Sequence, residues 1–126
     1  MPKTVWTDKR LGRLYELYNQ RYWKGKLPSY AVSIAAMEYW GQCFRERQSI
    51  CIDIDRHKTD NQTRSTLLHE MAHAASTTGL AHGYQFWAQI EHLLRQQAPI
   101  NVSFSEAPGV GNVVDAIPKR CPRLAN

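Results

Sequence analysis

Residues 60–79 read Asp-Asn-Gln-Thr-Arg-Ser-Thr-Leu-Leu-His-Glu-Met-Ala-His-Ala-Ala-Ser-Thr-Thr-Gly. A helix is expected over Asp60–Thr78, opened by Asp60 or Asn61 and closed by Gly79. On a helical wheel with Leu67 at zero, Leu68, Met71, Ala74 and Ala75 centre a core stripe at about 40°. His69 and His73 fall at about 200° and 240°, away from that stripe. Two imidazoles one turn apart on one face can reach a single metal ion, at ~2.0–2.1 Å for zinc. Glu70, between them in sequence, falls at about 300°, where its carboxylate can serve a water without ligating the metal. Ser65, Thr66 and Ser76 border the histidines and are expected to leave room for solvent and substrate. The run is an HExxH motif on an amphipathic helix.

A catalytic zinc takes three protein ligands and keeps one position open. His82 is the expected third ligand, because Gly79 reverses the chain and Leu80-Ala81 carry it back to the start of the next helix. Three neutral imidazoles leave zinc its full charge, so a water there ionises near pH 7 instead of ~15.7. Glu70 then takes the water's proton and passes it to the leaving amine. His57 and His92 are read as bland, His92 as a solvated residue facing away from the core.

Outward from this helix the pattern is α+β. Upstream, an N-terminal helix is expected over residues 8–23, with Thr7 as N-cap and a stripe of Leu11, Leu14, Tyr15, Tyr18 and Tyr22. Gly25 and Leu27-Pro28 end it. Three strands follow: Tyr30–Met37 with Val32, Ile34 and Ala36 on one face, a second over Tyr39–Arg45, and a third with Ile50, Ile52 and Ile54 opposite Cys51, Asp53 and Asp55. Downstream, a helix covers Gly83–Gln97 and stops before Pro99, along a stripe of Phe86, Trp87, Ile90, Leu93 and Leu94. Residues 1–100 form the expected domain. Residues 101–126, broken by Pro108, Gly109, Gly111, Pro118 and Pro122, form an irregular basic tail.

A chain of 126 residues with 43% apolar content fits one domain with a modest core. No run approaches a membrane span, and the first residues have no apolar signal core. Three cysteines without a CxxC pair build neither a disulfide framework nor a four-cysteine zinc site, so a cytoplasmic setting is expected. The net charge of +5 is uneven. Residues 1–26 carry seven basic side chains against Asp8 and Glu16, the tail adds Lys119, Arg120 and Arg123, and the middle is net acidic. Basic ends of this kind suit single- or double-stranded DNA, through the first helix and the tail. Trp23, Trp40 and Trp87 are read as core ahead of base stacking, and Tyr84 is a candidate for stabilising an oxyanion.

These residues together resemble the SprT-like zinc metalloprotease domain family, the fold shared with the Spartan protease. The resemblance runs through Leu14-Tyr15-Glu16-Leu17-Tyr18-Asn19, Trp23-Lys24-Gly25-Lys26-Leu27-Pro28, Trp40-Gly41-Gln42-Cys43 and the Ile50-to-Ile54 strand. It is strongest in His69-Glu70-Met71-Ala72-His73-Ala74 and His82-Gly83-Tyr84-Gln85-Phe86-Trp87, and covers residues 8–97. It implies a zincin-like minimal protease, with His69, His73 and His82 as zinc ligands, Glu70 as general base and a protein or peptide as substrate. It also implies association with DNA or the nucleoid. Many relatives carry a zinc ribbon after the catalytic domain, whereas only Cys121 lies in that region here, so DNA contact falls to the basic helix or tail. Two alternatives stay open: a zinc-stabilised module that binds DNA or a partner without cleaving, and a narrow regulatory protease that cuts one partner.

Overall fold

Thr7 opens the first helix, α1, over Asp8–Trp23: its hydroxyl accepts the Arg10 N–H and satisfies one of the unpaired donors of the first turn. Leu11, Tyr15, Tyr18 and Tyr22 are buried along one stripe, and Leu14 lies half-buried at its edge. The helix stops because Lys24 and Gly25 turn left-handed, at φ 54° and 76°. Asn19 then fastens the exit: its amide donates to the Leu27 carbonyl at 3.0 Å, and its oxygen accepts the Leu27 N–H at 3.1 Å. The Tyr15 hydroxyl donates to the Pro28 carbonyl at 2.6 Å. The computed structural model describes residues 4–76 and 83–101. His82 and the tail beyond 101 lie outside them, and the helix expected to run to Thr78 and stop at Gly79 already ends at Ala75, where Ser76 is extended.

The sheet has three short strands, β1 (Ala31–Ile34), β2 (Gly41–Phe44) and β3 (Ser49–Ile52), in the order β1-β3-β2. β1 runs parallel to β3 and pairs Ala31 with Ser49 through Ile34 with Ile52. β2 is antiparallel to β3, pairing Gly41 with Ile52 and Phe44 with Ser49, and pairs with no other strand among the described residues.

Each strand is shorter than its alternation suggested, and Asp53 is the reason at one end. Its carboxylate accepts the Met37 N–H at 2.9 Å and the Arg56 Nε–H at 3.2 Å. These bonds pull the chain into a 3-10 turn at Ile54–Arg56, so Ile54 leaves the strand, and Met37 is drawn off the line of β1.

Two further helices complete the α+β fold: α2 (Asp60–Ala75) and α3 (Tyr84–Arg95). Thr59, one residue before the expected opener, is the N-cap of α2, and Gln62 reciprocates in a capping box. The main core joins the α1 stripe to Val32, Ile50 and Ile52 of the sheet, Leu67, Leu68, Met71 and Ala72 of α2, and Phe86, Ile90 and Leu93 of α3. Met37, Phe44 and Cys51 form a second, smaller cluster, with Ala35 against it. Among the described residues, no helix is long and apolar enough to cross a membrane.

Candidate functional site

The position of α2 is set first by polar contacts around its first two turns. Asp60 accepts the Thr4 N–H, the Thr4 hydroxyl and the Trp6 indole N–H, tying the N-terminal segment to the helix start. His57 fixes the next turn. It is 2% exposed, its Nδ1 lies 2.7 Å from the Asp53 carbonyl, and its Nε2 lies 2.8 Å from the Thr66 hydroxyl. A carbonyl only accepts, so Nδ1 donates there, and in the neutral ring Nε2 accepts the Thr66 proton. The Trp40 ring stands edge-on to the imidazole at 4.7 Å. His57 is therefore not the bland residue its polar surroundings suggested, but a buried post between the turn after β3 and α2.

At the turn between Thr66 and Glu70, β2 crosses the helix at Gly41. A methyl group at Gly41 would lie 2.8 Å from Thr66 Cγ2 and 3.3 Å from Glu70 Cγ. The missing side chain lets the edge strand lie directly on the turn that carries Glu70. Glu70 is 3% exposed and is thereby held between helix and sheet. Cys43, on the same strand, has its thiol pushed far up, by burial first and then by the nearby Glu70 carboxylate. The thiol accordingly stays protonated near neutral pH. Tyr30 is pushed up to about 12, mainly by burial, with the nearby Cys43 thiol adding to it.

His69 and His73 come together as their spacing predicts, with ring centroids 5.2 Å apart and planes inclined at 63°. Their face is not open, however. Phe86 of α3, fully buried, stacks on His73 at 4.3 Å and meets His69 at 4.9 Å. Both imidazoles are half-buried on this aromatic floor. The small residues bordering them are engaged too: Ser65 accepts the Asn101 N–H at 2.8 Å, and the Ser76 hydroxyl donates to the Ala72 carbonyl at 3.1 Å. Arg45, at the end of β2, donates to the Ser76 carbonyl at 2.6 Å and places a cation at the helix C-terminus.

Two imidazoles one helical turn apart, with rings 5.2 Å from each other, are a donor pair of the kind zinc accepts, so these residues fit such an ion. Among the described residues no three His, Cys, Asp or Glu side chains gather as a metal set, and His82 lies outside them. His92, expected in solvent, is half-buried instead and holds the Tyr22 carbonyl through Nε2. Trp23 is buried as expected and donates to Gln89 at 2.8 Å, whereas Trp40 is 44% exposed. Tyr84 projects from the start of α3 at 89% exposure.

Phe86 was legible as part of the α3 stripe, though not as the floor of the histidine pair. Gly41 carried a signal, since a glycine inside a strand marks a close backbone approach. His57 carried none. No curated protein and no solved structure matches the chain. The SprT-like family model matches residues 11–106, from the first core leucine past the end of α3, and the chain belongs to the SprT-like family.

Proposed function

We propose that the protein is a zinc-dependent peptidase in which His69, His73 and His82 hold the metal and Glu70 is the general base. One observation carries the reading: a single turn of α2 sets two imidazoles side by side and buries a carboxylate against the edge strand. Bound there, zinc supplies Lewis acidity, which polarises a peptide carbonyl and acidifies water. The remaining chemistry belongs to the chain. Glu70 accepts the proton of the attacking water at its carboxylate and delivers it to the amine nitrogen as the peptide bond breaks. Phe86 fixes the two rings from below, so their orientation is set before substrate arrives. Among the described residues β2 has a strand on one side only, and its other edge offers backbone donors and acceptors to an extended peptide beside the turn of Glu70.

The test combines elemental analysis with cleavage of denatured casein. Wild type should carry one zinc per chain and cut the casein, and His69→Ala, His73→Ala or His82→Ala should lose the metal. Glu70→Gln keeps shape and zinc but lacks the base, so cleavage should fall by about 10²–10⁴-fold. Equal turnover by wild type and Glu70→Gln would remove Glu70 from its role. Full zinc in His82→Ala would remove His82 from the ligand set.

A further inference from the structure

The far side of α2 carries a second arrangement that the peptidase reading does not use. Arg64 stands about 160° round the helix from the histidine pair, at 3.6 residues per turn. There it lies over the Trp6 ring, 6.0 Å from the centroid, and joins Arg10 and Arg13 of α1 around an open basin of about 350 Å³. Trp6, Leu14 and Leu17 supply the apolar surface, and among the described residues no carboxylate lines the basin, although Asp60 lies behind Thr4 and Trp6, one turn before Arg64. Leu17 is 49% exposed, and so is most of Val5, whose carbonyl holds the Arg10 guanidinium at 3.1 Å. Arg21 prolongs the same flank of α1. Arg64 and Arg21 both lie within electrostatic reach of Tyr18. From Arg10 to Arg21 the strip measures about 16 Å.

An occupant must supply carboxylates or phosphates to the guanidiniums and apolar contact to the leucines. Nucleic acid meets the first need but not the second. The one indole has Arg64 over its ring and its N–H bound to Asp60, so it is a poor platform for stacking bases. The chain's own tail ends in Lys119, Arg120 and Arg123, the wrong sign for this surface. The same flank of a second copy would be repelled. An amphipathic helix with acidic residues beside an aliphatic stripe meets both needs, because its side chains repeat at the spacing of Arg10, Arg13, Leu14 and Leu17.

We propose that this flank of α1 and α2 docks an acidic amphipathic helix of a partner protein, about three turns long. Its carboxylates pair with Arg10, Arg13 and Arg64, and its aliphatic stripe covers Leu14 and Leu17. The proposal stands apart from the histidine face, and a binding measurement tests it whatever the protein cleaves.

The probe is a fluorescent 14-residue peptide of Glu, Leu and Ala with leucines at i, i+3, i+4 and i+7. Its comparators are a peptide of the same composition with the stripe scrambled, and an oligothymidylate of similar length. The patterned peptide should bind the full chain at least about tenfold more tightly than either comparator. Arg13→Glu and Leu17→Glu should each weaken it by about tenfold or more, while Lys24→Glu, exposed outside the strip, changes it less than about twofold. Both strip positions are exposed, so circular dichroism should show an unchanged fold. Equal binding of the scrambled peptide would reduce the surface to bulk charge. Tighter binding of the oligonucleotide would make it a nucleic-acid surface. Either result, or no binding by the patterned peptide at about 100 μM, overturns the proposal.

Discussion

The two halves of α2 are set against the rest of the molecule by different contacts. In the first half, Asp60, Thr66 and Ser65 hydrogen-bond to the N-terminal segment, to His57 after the 3-10 turn and to Asn101, while Thr59 and Gln62 cap the helix start. In the second half, His69 and His73 rest on the face of Phe86, and Glu70 lies against a glycine. The contrast separates two kinds of contact. Hydrogen bonds tie the start of the helix to neighbouring segments, whereas the turn of the histidine pair is packed against an aromatic ring and a closely lying strand. The shape around that turn is therefore open to test by substitution.

If shape holds the second half, removing the shape should have the largest effect. Phe86 is fully buried and touches both imidazoles, so Phe86→Ala should cost about 3–5 kcal/mol of stability. Phe86→Leu keeps most of the volume and should cost less, about 1–2 kcal/mol, yet it removes the flat floor. Denaturant unfolding checks both costs, and zinc affinity of the folded Phe86→Leu protein checks the floor. Affinity equal to wild type would mean that the imidazoles are oriented by something other than the aromatic face.

The joint between the halves comes next in size. Gly41→Ala puts a methyl 2.8 Å from Thr66 Cγ2. That methyl cannot simply swing aside, because the Thr66 hydroxyl is held by His57 at 2.8 Å and a β-branched side chain has few rotamers in a helix. The strand must move, at about 1–3 kcal/mol. Thr66→Ser deletes the obstructing methyl and keeps the hydroxyl, so the double variant should recover most of the loss. Unfolding midpoints of the two single variants and the double variant measure this. An additive result would show that Gly41 is constrained elsewhere.

What could be read in the sequence follows from the same contrast. Periodicity and spacing are local, and they placed α1, the face shared by His69 and His73, and the Phe86 stripe of α3. Strand order was not local. Nothing in Ala31–Ile34 or Gly41–Phe44 announces that β3 lies between them, because β1 and β3 are joined only through the intervening hairpin strand. The strand ends were misplaced because a side chain, Asp53, outcompeted the alternation of its neighbours. His57 and His92 were misread for a related reason. Each is engaged by a partner distant in sequence or off its own element, Thr66 and Trp40 for one and Tyr22 for the other.

The smallest effect belongs to the first half, where removing one hydrogen-bonded group leaves others in place. Asp60 is held below the usual carboxylate range, chiefly by the hydrogen bond from the Thr4 hydroxyl, with the Thr4 and Trp6 N–H groups adding to it. Its folded value is depressed relative to the unfolded chain, so the stabilisation is present above the unfolded value, near 3.8, and is lost as pH falls through the folded one. Asp60→Asn keeps the size and one acceptor but cannot ionise. It should lower the thermal midpoint at pH 7 by less than either core variant, and the gap from wild type should narrow as pH drops below about 4. Residues 4–6 should loosen in the same variant, because Thr4 and Trp6 both hold this carboxylate, and hydrogen exchange at Thr4 and Val5 reads that directly. A gap independent of pH would mean that Asp60 acts through the shape of the helix start, and its charge would then have no part in fastening the N-terminal segment.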